Sequence, residues 1–493
     1  MSVRGAALLT AALTAAGAAL GLGRDVVVAA VFGAGPAMDA FLVAQGLMNL
    51  VLGLVSGALA KAVVPVVARA GAEGLVTVRA ALGLSCVVLA AGGVAMWLGA
   101  PAVVAVLAPG FGPATTALAV DLTRVVLVAT VLVSATNLLA GAGQAVGRFA
   151  PAASQGVGFN VVMIASAALA GPVFGAHALA WGFVVGSAVR LLIQLPAFGW
   201  RLPLPSLRWR DPGLAEVVRL VPALLVGSAA STVNTLVDRA VASTVSDGAI
   251  ASVNFAARLV STVDLVLVAT VLAALYPKLA LAARPGRLAE LRGLVERGAG
   301  ALVAVLVPVV VVVVLTAQPV VRLVFARGAF DDRAVAMTAS VTAVLACGLP
   351  ALAVREVCAR TAYAVGDGGI AVRSALVAVV VNVGGDVLLA PRFGVAGIAG
   401  ATVAAGVAGA VVAVVGLHRR HGALPALTRP LLGVAAAGSV AAVAGLVARW
   451  LTGGVPDVVA VAVVGAVVLV SYVAVVRVTA PGPLRLLLGT VRR

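Results

Sequence analysis

Charge is scarce in this chain. Asp, Glu, Lys and Arg make up 10% of its 493 residues and aromatics only 4%. A water-soluble domain needs about a quarter of its residues charged to cover its surface, so a soluble globular class is excluded. Cysteine is scarcer still. Cys86, Cys347 and Cys358 sit inside apolar runs without Cys-x-x-Cys or Cys/His spacing, which excludes a zinc site or disulfide framework and leaves them as small buried hydrophobes. The three histidines, His177, His418 and His421, lie at loop edges and form no catalytic or metal-ligating set. Long polar loops with paired carboxylates, which an integral glycosyltransferase uses, are missing. The longest polar stretches, near 200–213 and 278–297, are mostly basic. The chain reads as a non-enzyme with no catalytic residues.

Acid is also short: 17 Asp and Glu stand against 34 Lys and Arg, a formal charge of +17. Such an excess often marks a nucleic-acid partner, but here the bases sit in short loops between apolar runs. No basic, aromatic-interleaved surface could follow a phosphodiester backbone, so nucleic acid is excluded as a partner.

What the sequence has in abundance is hydrocarbon. Hydrophobic residues reach 63% and mean hydropathy is +1.19. A spanning helix needs about 20 apolar residues, and such runs recur from end to end. Breaking the chain at Gly, Pro and charge clusters gives fourteen expected transmembrane helices: 5–31, 37–67, 77–106, 116–143, 151–170, 176–199, 214–244, 249–276, 298–316, 334–364, 370–390, 395–417, 429–450 and 457–478. The fold class is therefore an all-α integral membrane protein. The first apolar stretch runs through Val31 with Arg24 and Asp25 inside it and no small-residue cleavage site, so it reads as a retained helix rather than a signal peptide.

Basic residues set the expected orientation. With the N-terminus cytoplasmic, 23 of the 34 Lys and Arg fall on the inside and five outside, namely Arg322, Arg327, Arg333, Arg392 and Arg449. The positive-inside rule then puts both termini in the cytoplasm. The basic 200–219 segment, with Trp200 and Trp209, is expected to lie on the membrane surface, a plain solvated loop being the alternative.

A faint repeat runs through the chain. Residues 24–41 read Arg-Asp, an apolar stretch, Gly33-Ala-Gly35 and Asp39-Ala-Phe41. Residues 238–255 read Asp-Arg, an apolar stretch, Asp247-Gly-Ala249 and Asn254-Phe255. Ala108-Pro-Gly-Phe111 and Arg327-Gly-Ala-Phe330 close the third and ninth spans alike. Parallel repeats with a path between the halves are a transporter architecture.

Charges inside the spans carry the functional argument, because an Arg or Asp at a helix centre costs about 2.5–3.5 kcal/mol on insertion scales. Arg124, Arg190 and Arg355 lie near span ends and read as structural pairs or snorkelling side chains. Arg24 and Arg258 lie deeper, in equivalent regions of the two repeats. Two guanidiniums facing one cavity would make a phosphate site through bidentate hydrogen bonds. Arg24 and Asp25 point about 100° apart on a helix, so each is expected to look to another helix rather than to its neighbour.

Several motifs resemble the MviN/MurJ-type lipid II flippase family of the MOP exporter superfamily. They are Leu22-Gly-Arg-Asp25, Phe32-Gly-Ala-Gly35 with Asp39-Ala-Phe41, Leu107-Ala-Pro-Gly-Phe111, Gly147-Arg-Phe149 with Pro151, Ala178-Leu-Ala-Trp-Gly182, Gln194-Leu-Pro196, Arg327-Gly-Ala-Phe330 and Gly348-Leu-Pro350. The resemblance implies two six-helix lobes around a central cavity plus two C-terminal helices. In this chain that means an N-terminal lobe over 1–200, a cytoplasmic connector over 201–213, a C-terminal lobe over 214–418, and two extra helices with a basic tail over 419–493. It further implies a flippase in the bacterial cytoplasmic membrane, active in peptidoglycan and cell-wall biogenesis. The substrate would be an undecaprenyl-pyrophosphate-linked precursor moved from inner to outer leaflet by alternating access. Membrane lipids and cell-wall synthesis proteins are the implied partners.

The substrate residues that the resemblance carries over are Arg24, Asp25, Asp39 and Arg258. The chain departs from the family pattern at Ala18, across Met48-Asn-Leu-Val-Leu-Gly53, and at Ser261, where the family has arginine, an arginine pair and an acid. Its cavity would be the less cationic, which keeps open a flippase for another polyprenyl-linked glycan. An ion-coupled small-molecule or drug antiporter using Asp25 or Asp39, and a non-transporting scaffold, are the competing classes. Some family members hold Na+, and the matching residues here are Asp238, Asn382, Asp386, Thr402 and the Ile398 carbonyl. Asn382 and Asp386, four apart, share one helix face. Pairing of Asp238 or Asp386 with Arg239 or another buried arginine is the alternative.

Overall fold

A computed structural model describes residues 3–70, 74–200, 203–284, 287–422 and 428–479. Arg201 of the connector and the basic tail over 480–493 lie outside the described residues. Among the described residues the regular elements are all helices, as hydrocarbon requires, because a helix satisfies its own backbone donors and acceptors. In chain order they are α1 (Val3–Phe32), α2 (Pro36–Ala70), α3 (Gly74–Leu107), α4 (Pro113–Leu127), α5 (Ala129–Ala145), α6 (Ala150–Ala165), α7 (Gly171–Phe174), α8 (Ala176–Ile193) and α9 (Pro212–Val245). Then come α10 (Ala249–Asp264), α11 (Thr270–Ala282), α12 (Leu288–Phe325), α13 (Asp332–Cys347), α14 (Leu349–Ala364), α15 (Gly368–Phe393), α16 (Val395–His421), α17 (Thr428–Leu451) and α18 (Asp457–Thr479). Wider π-type turns link α6 to α7 over Ser166–Ala170 and α10 to α11 over Leu265–Ala269.

Eleven stretches among the described residues are long and apolar enough to cross a membrane, and counting two bent pairs as spans makes thirteen. The expected fourteen is not reached on that measure. α9 stands where the seventh span was expected. The expected span 334–364 is broken into α13 and α14, bent by 44° at Gly348-Leu-Pro350, where proline removes a backbone donor. The expected span 298–316 is longer than thought. At Thr316 the backbone leaves helical geometry (φ −118°, ψ 16°), three residues before Pro319, and α12 continues beyond the kink to Phe325.

The chain divides into two compact units, Met1–Ala251 with Arg327–Asp331, and Ser252–Ala326 with Asp332–Arg493. In the first, α2 is the central helix, packed by α3, α4, α5 and α9. Leu59, Val63, Leu82, Leu138, Leu139 and Val217 form its apolar core. Small residues set the helix spacings, since lipid gives helices no hydrophobic reason to associate. A Cβ on Gly141 would stand 2.8 Å from the Ala60 carbonyl oxygen. The described part of the connector is strapped to α3. Ser206 N–H donates to Arg79 O (2.8 Å) and Arg79 Nε to Leu204 O (3.1 Å). Asp211 Oδ2 accepts from both Thr77 Oγ1 (2.9 Å) and Leu214 N–H (2.8 Å), so one carboxylate caps α9 and holds it to α3. Trp209, Leu204 and Leu207 stay exposed on the strap.

In the second unit α12 packs against α13, α14, α17 and α18. Tyr472 Oη donates to the Ala304 carbonyl (2.8 Å), and Arg322 lies 3.6 Å from Asp457, fixing α18 to α12 at two levels. α15 and α16 pair most closely. The turn between them rests on Gly394 at φ 59°, and a Cβ on Gly397 would come within 2.4 Å of the Leu389 carbonyl oxygen. Of the cysteines only Cys358 is buried; Cys347 is exposed and Cys86 half-buried, so the expectation of three buried thiols fails for Cys347.

At one end of this hairpin Asp367 accepts from Arg420 Nη1 (3.0 and 3.2 Å) and faces His421 Nε2 at 3.3 Å. The Arg420 hydrogen bond, above all, holds the Asp367 carboxyl below the usual carboxylate range, and the His421 contact adds to it. A depressed folded-state pKa gives a contribution that is complete above the unfolded value, about 4, and is lost as pH falls below it. Asp367→Asn should therefore lower the thermal midpoint at pH 7, and the wild-type and variant midpoints should converge as the buffer is taken towards pH 3.

Candidate functional site

Charge at membrane depth must be compensated within the helix bundle, and the first unit shows how. Arg24 on α1 folds back along its own helix, with Nε and Nη2 donating to Asp25 Oδ1 at 3.0 and 2.7 Å. Nη1 donates to Asn160 Oδ1 on α6 at 3.2 Å, and the Asn160 amide nitrogen donates to Gly17 O at 2.9 Å. The expectation that Arg24 and Asp25 point away from each other is therefore corrected, because the four-atom reach of the arginine stem closes the angular gap between neighbours. The expected contact to another helix is present as well. Asn160 was not singled out from sequence; an amide in the apolar run of the fifth expected span was the available signal. Where α1 meets α6, Gly17 faces Gly156, and an added Cβ would sit at ordinary contact distance, 3.7 Å, from the opposing backbone. The Arg24 side chain keeps 23% of its surface exposed.

Asp39, at the start of α2, is 1% exposed. Its Oδ2 accepts the N–H of Gly248 and its Oδ1 the N–H of Ala251, both at 2.7 Å. These donors are at the beginning of α10, where backbone N–H groups lack partners and the helix dipole favours negative charge. In this conformation the carboxylate holds a turn and presents no free edge to a ligand.

Around that cap, turns that recur in the sequence meet backbone to backbone. Gly33, Gly248 and Gly328 have φ of 64°, 80° and 59°, a region that L side chains avoid. A Cβ would come within 2.4 Å of the Ala329 oxygen at Gly33, 2.1 Å of the Ala34 oxygen at Gly248, and 2.1 Å of the Ala30 oxygen at Gly328. Ala329 N–H donates to Ala30 O (2.8 Å), and Gly110 N–H to Ser243 Oγ (3.2 Å). All these residues belong to the first unit.

α9 adds a second half-buried cation. Arg239 Nη1 donates to the Leu42 carbonyl on α2 (2.5 Å) and fills the space that a side chain at Gly46 would need. Asp238 precedes it, half-buried on α9. The expected structural arginines take structural partners. Arg124 stacks on Trp97 at 4.8 Å with Asp121 3.8 Å away, and Arg190 lies 5.4 Å from the Phe159 ring and bonds to Gln155.

The second unit holds the other candidates. Arg258 is half-buried on α10, with the hydroxyls of Ser261 and Thr262 donating to its carbonyl. On α15, Asn382 and Asp386 are buried, and Asn382 Nδ2 donates to Asp386 Oδ2 at 3.0 Å. On α16, Thr402 Oγ1 donates to the Ile398 carbonyl at 3.1 Å. The two helices are in close contact there, Gly385 against Ala401. Arg24, Asp25, Asp39 and Asp238 thus belong to the first unit, and Arg258, Asn382, Asp386, Ile398 and Thr402 to the second.

Long apolar helices, tight small-residue packing and charges satisfied inside the bundle define a multi-pass, all-helical membrane protein. A family model described as the lipid II flippase MurJ matches residues 28–469, and the chain belongs to that family. It is 29% identical over 419 residues to the lipid II flippase MurJ of Burkholderia cenocepacia, covering 79% of this chain and 80% of that protein. In three dimensions it resembles a solved lipid II flippase MurJ in an inward closed conformation, with a TM-score of 0.80 at 18% identity over 95% of this chain and 99% of that one. An inward-facing multidrug resistance MATE transporter of the MOP superfamily shares the fold, with a TM-score of 0.70 at 16% identity over 85% of this chain and 98% of that one.

The Asp39 cap yields a direct test. Asp39→Asn replaces one accepting oxygen by an amide that meets a backbone N–H donor to donor, at a cost of about 1–3 kcal/mol. Gly248→Ala adds both a strained φ and a backbone clash. Each should lower the thermal midpoint of the purified protein, and the pair should be less than additive, because either change alone frees the start of α10.

Proposed function

We propose that this chain is a flippase that moves lipid II, an undecaprenyl-pyrophosphate-linked peptidoglycan precursor, from the inner to the outer leaflet of the bacterial cytoplasmic membrane by alternating access. Membership of the family supports the activity, and one feature of the chain carries the chemistry: Arg24 is held at membrane depth by Asp25 and Asn160 with its side chain still partly exposed. A pyrophosphate offers oxygens that such a cation binds through charge-assisted hydrogen bonds. Arg258 is assigned the same role from α10, with Asp25 orienting Arg24. Asp39, in this reading, fixes the start of α10 and acts on the substrate through that helix. Both termini are cytoplasmic by the distribution of basic residues. The lobes would be 1–200 and 214–418, joined by the 201–213 connector and followed by the 419–493 segment.

The expected outcome is that the wild-type gene supports growth when a host's own lipid II flippase is depleted. Arg24→Ala and Arg258→Ala should insert normally but transport about a hundredfold less, the loss of roughly 3 kcal/mol of charge-assisted bonding. Lysine at either position should restore only part, since an ammonium lacks the bidentate fork. Normal growth of the double alanine variant would refute the assignment. Failure of the wild-type gene, with export of an organic cation instead, would favour a drug antiporter.

The sodium reading is proposed on the donor chemistry of the second unit. Asp386, Asn382, Thr402 and the Ile398 carbonyl offer carboxylate, amide, hydroxyl and carbonyl oxygens, hard donors that fit Na+, and Asp386 is fully buried. Asp238 on α9 is the further carboxylate assigned to this ion. A bound cation would supply the positive charge that a buried carboxylate needs in a low dielectric. Sodium should raise the thermal midpoint relative to a bulky organic cation at matched ionic strength, and Asp386→Ala should remove the difference. Equal midpoints for the wild type in the two salts would rule out the site.

A further inference from the structure

In the second unit, the first turns of α15 and the last turns of α16 leave an open groove of about 290 Å³. Its rim carries Arg373, Arg419 and Arg420, and its wall carries Val411, Val412 and Val415. The floor is narrow because Gly416 lies against Ile370, where an added Cβ would come within 3.0 Å. The three arginines are exposed and are committed to different degrees. Arg420 is engaged by Asp367. Arg373 uses its Nε on the Gly369 carbonyl of its own helix (3.2 Å). Arg419 makes no side-chain hydrogen bond or ion pair among the described residues. One carboxylate therefore stands against three guanidiniums, leaving a net positive rim. The α16 terminus contributes a partial negative charge and the α15 terminus a partial positive one, about half a unit each, so the dipoles cancel and the arginines decide the sign.

Away from the rim the same surface is hydrocarbon. Val411 is 55% exposed and Val415 41%. A site with guanidiniums at one end of two spanning helices and bare aliphatic side chains below them matches a ligand of the same polarity. Free anions have no use for the strip, and neutral lipids have none for the rim.

We propose that this groove binds an anionic glycerophospholipid, its phosphate held by Arg373 and Arg419 with Arg420 beside them, and its acyl chains lying along Val411 and Val415. Basic pockets between spanning helices recognise anionic headgroups in this way, and each arginine contributes about 1 kcal/mol, or about fivefold in affinity. The site is independent of the Arg24 and Arg258 assignment, since it lies on the exposed surface of the α15–α16 pair.

The test uses the full-length protein purified in a neutral detergent. It is titrated separately with phosphatidylglycerol, phosphatidylcholine and inorganic phosphate, with bound lipids counted by native mass spectrometry and the thermal midpoint followed in parallel. Phosphatidylglycerol should bind saturably and raise the midpoint, while phosphatidylcholine and inorganic phosphate should do neither. Arg419→Gln should weaken phosphatidylglycerol binding about fivefold, and Arg373→Gln with Arg419→Gln about twentyfold. Wild-type affinity in the double variant, equal binding of phosphatidylcholine, or full competition by inorganic phosphate would each overturn the proposal. If the double variant does not fold, Arg419→Gln decides alone, because Arg419 supports no contact whose loss could unfold the protein.

Discussion

Helices in lipid gain nothing from hiding apolar side chains from one another, because the surrounding tails are equally apolar. What holds this chain together is therefore close backbone approach, and close approach needs glycine or alanine at each crossing. Gly141 against Ala60 and Gly385 against Ala401 are points where a methyl group more would separate two helices. The same constraint governs the turns. Where Gly33, Gly248 and Gly328 meet opposing carbonyl groups, both the left-handed backbone and the lack of space require glycine. The high glycine content of 56 residues thus has a mechanical reason at these positions.

Charge inside the bundle is the second constraint, and the molecule meets it with both backbone and side-chain partners. Asp39 is neutralised by two N–H groups, Arg239 by a carbonyl, and Arg24 by a carboxylate and an amide. Arg124 and Arg190 lean on aromatic rings. Only the first of these solutions depends on a helix end, and it fastens the start of α10. Backbone partners cannot be lost by side-chain mutation, so Asp39 and Arg239 are protected on one side. Arg24 depends instead on two side chains, Asp25 and Asn160, and keeps 23% of its own side chain exposed.

Most of the helices were legible in the sequence, because apolar runs separated by Gly, Pro and charge are a strong signal. α9 follows from its position between breaks. The kinks were not legible. Pro319 and Pro350 were visible, but whether a proline ends a helix or merely bends it depends on what packs beside it. The repeated Gly-Ala turns were recognised as motifs, whereas their mutual contact required three-dimensional information. Arg24 and Asp39 were identified by charge in an apolar run. Their partners were missed, since Asn160 and two main-chain N–H groups carry no charge to betray them. Asn382 with Asp386 came from the family resemblance, and the four-residue spacing placed them on one helix face.

The bridge at Asp211 has a mechanical consequence. One carboxylate caps α9 and holds Thr77 of α3, so that end of α9 acts as a pivot. A straight helix of 34 residues is about 50 Å long at 1.5 Å per residue. A rigid swing of about 5° would therefore carry its far end some 4 Å sideways on that lever arm. The far end is where Ser243 receives the Gly110 N–H, a bond that such a displacement would break, so a tilt too small to disturb the pivot suffices to part the turns at the other end.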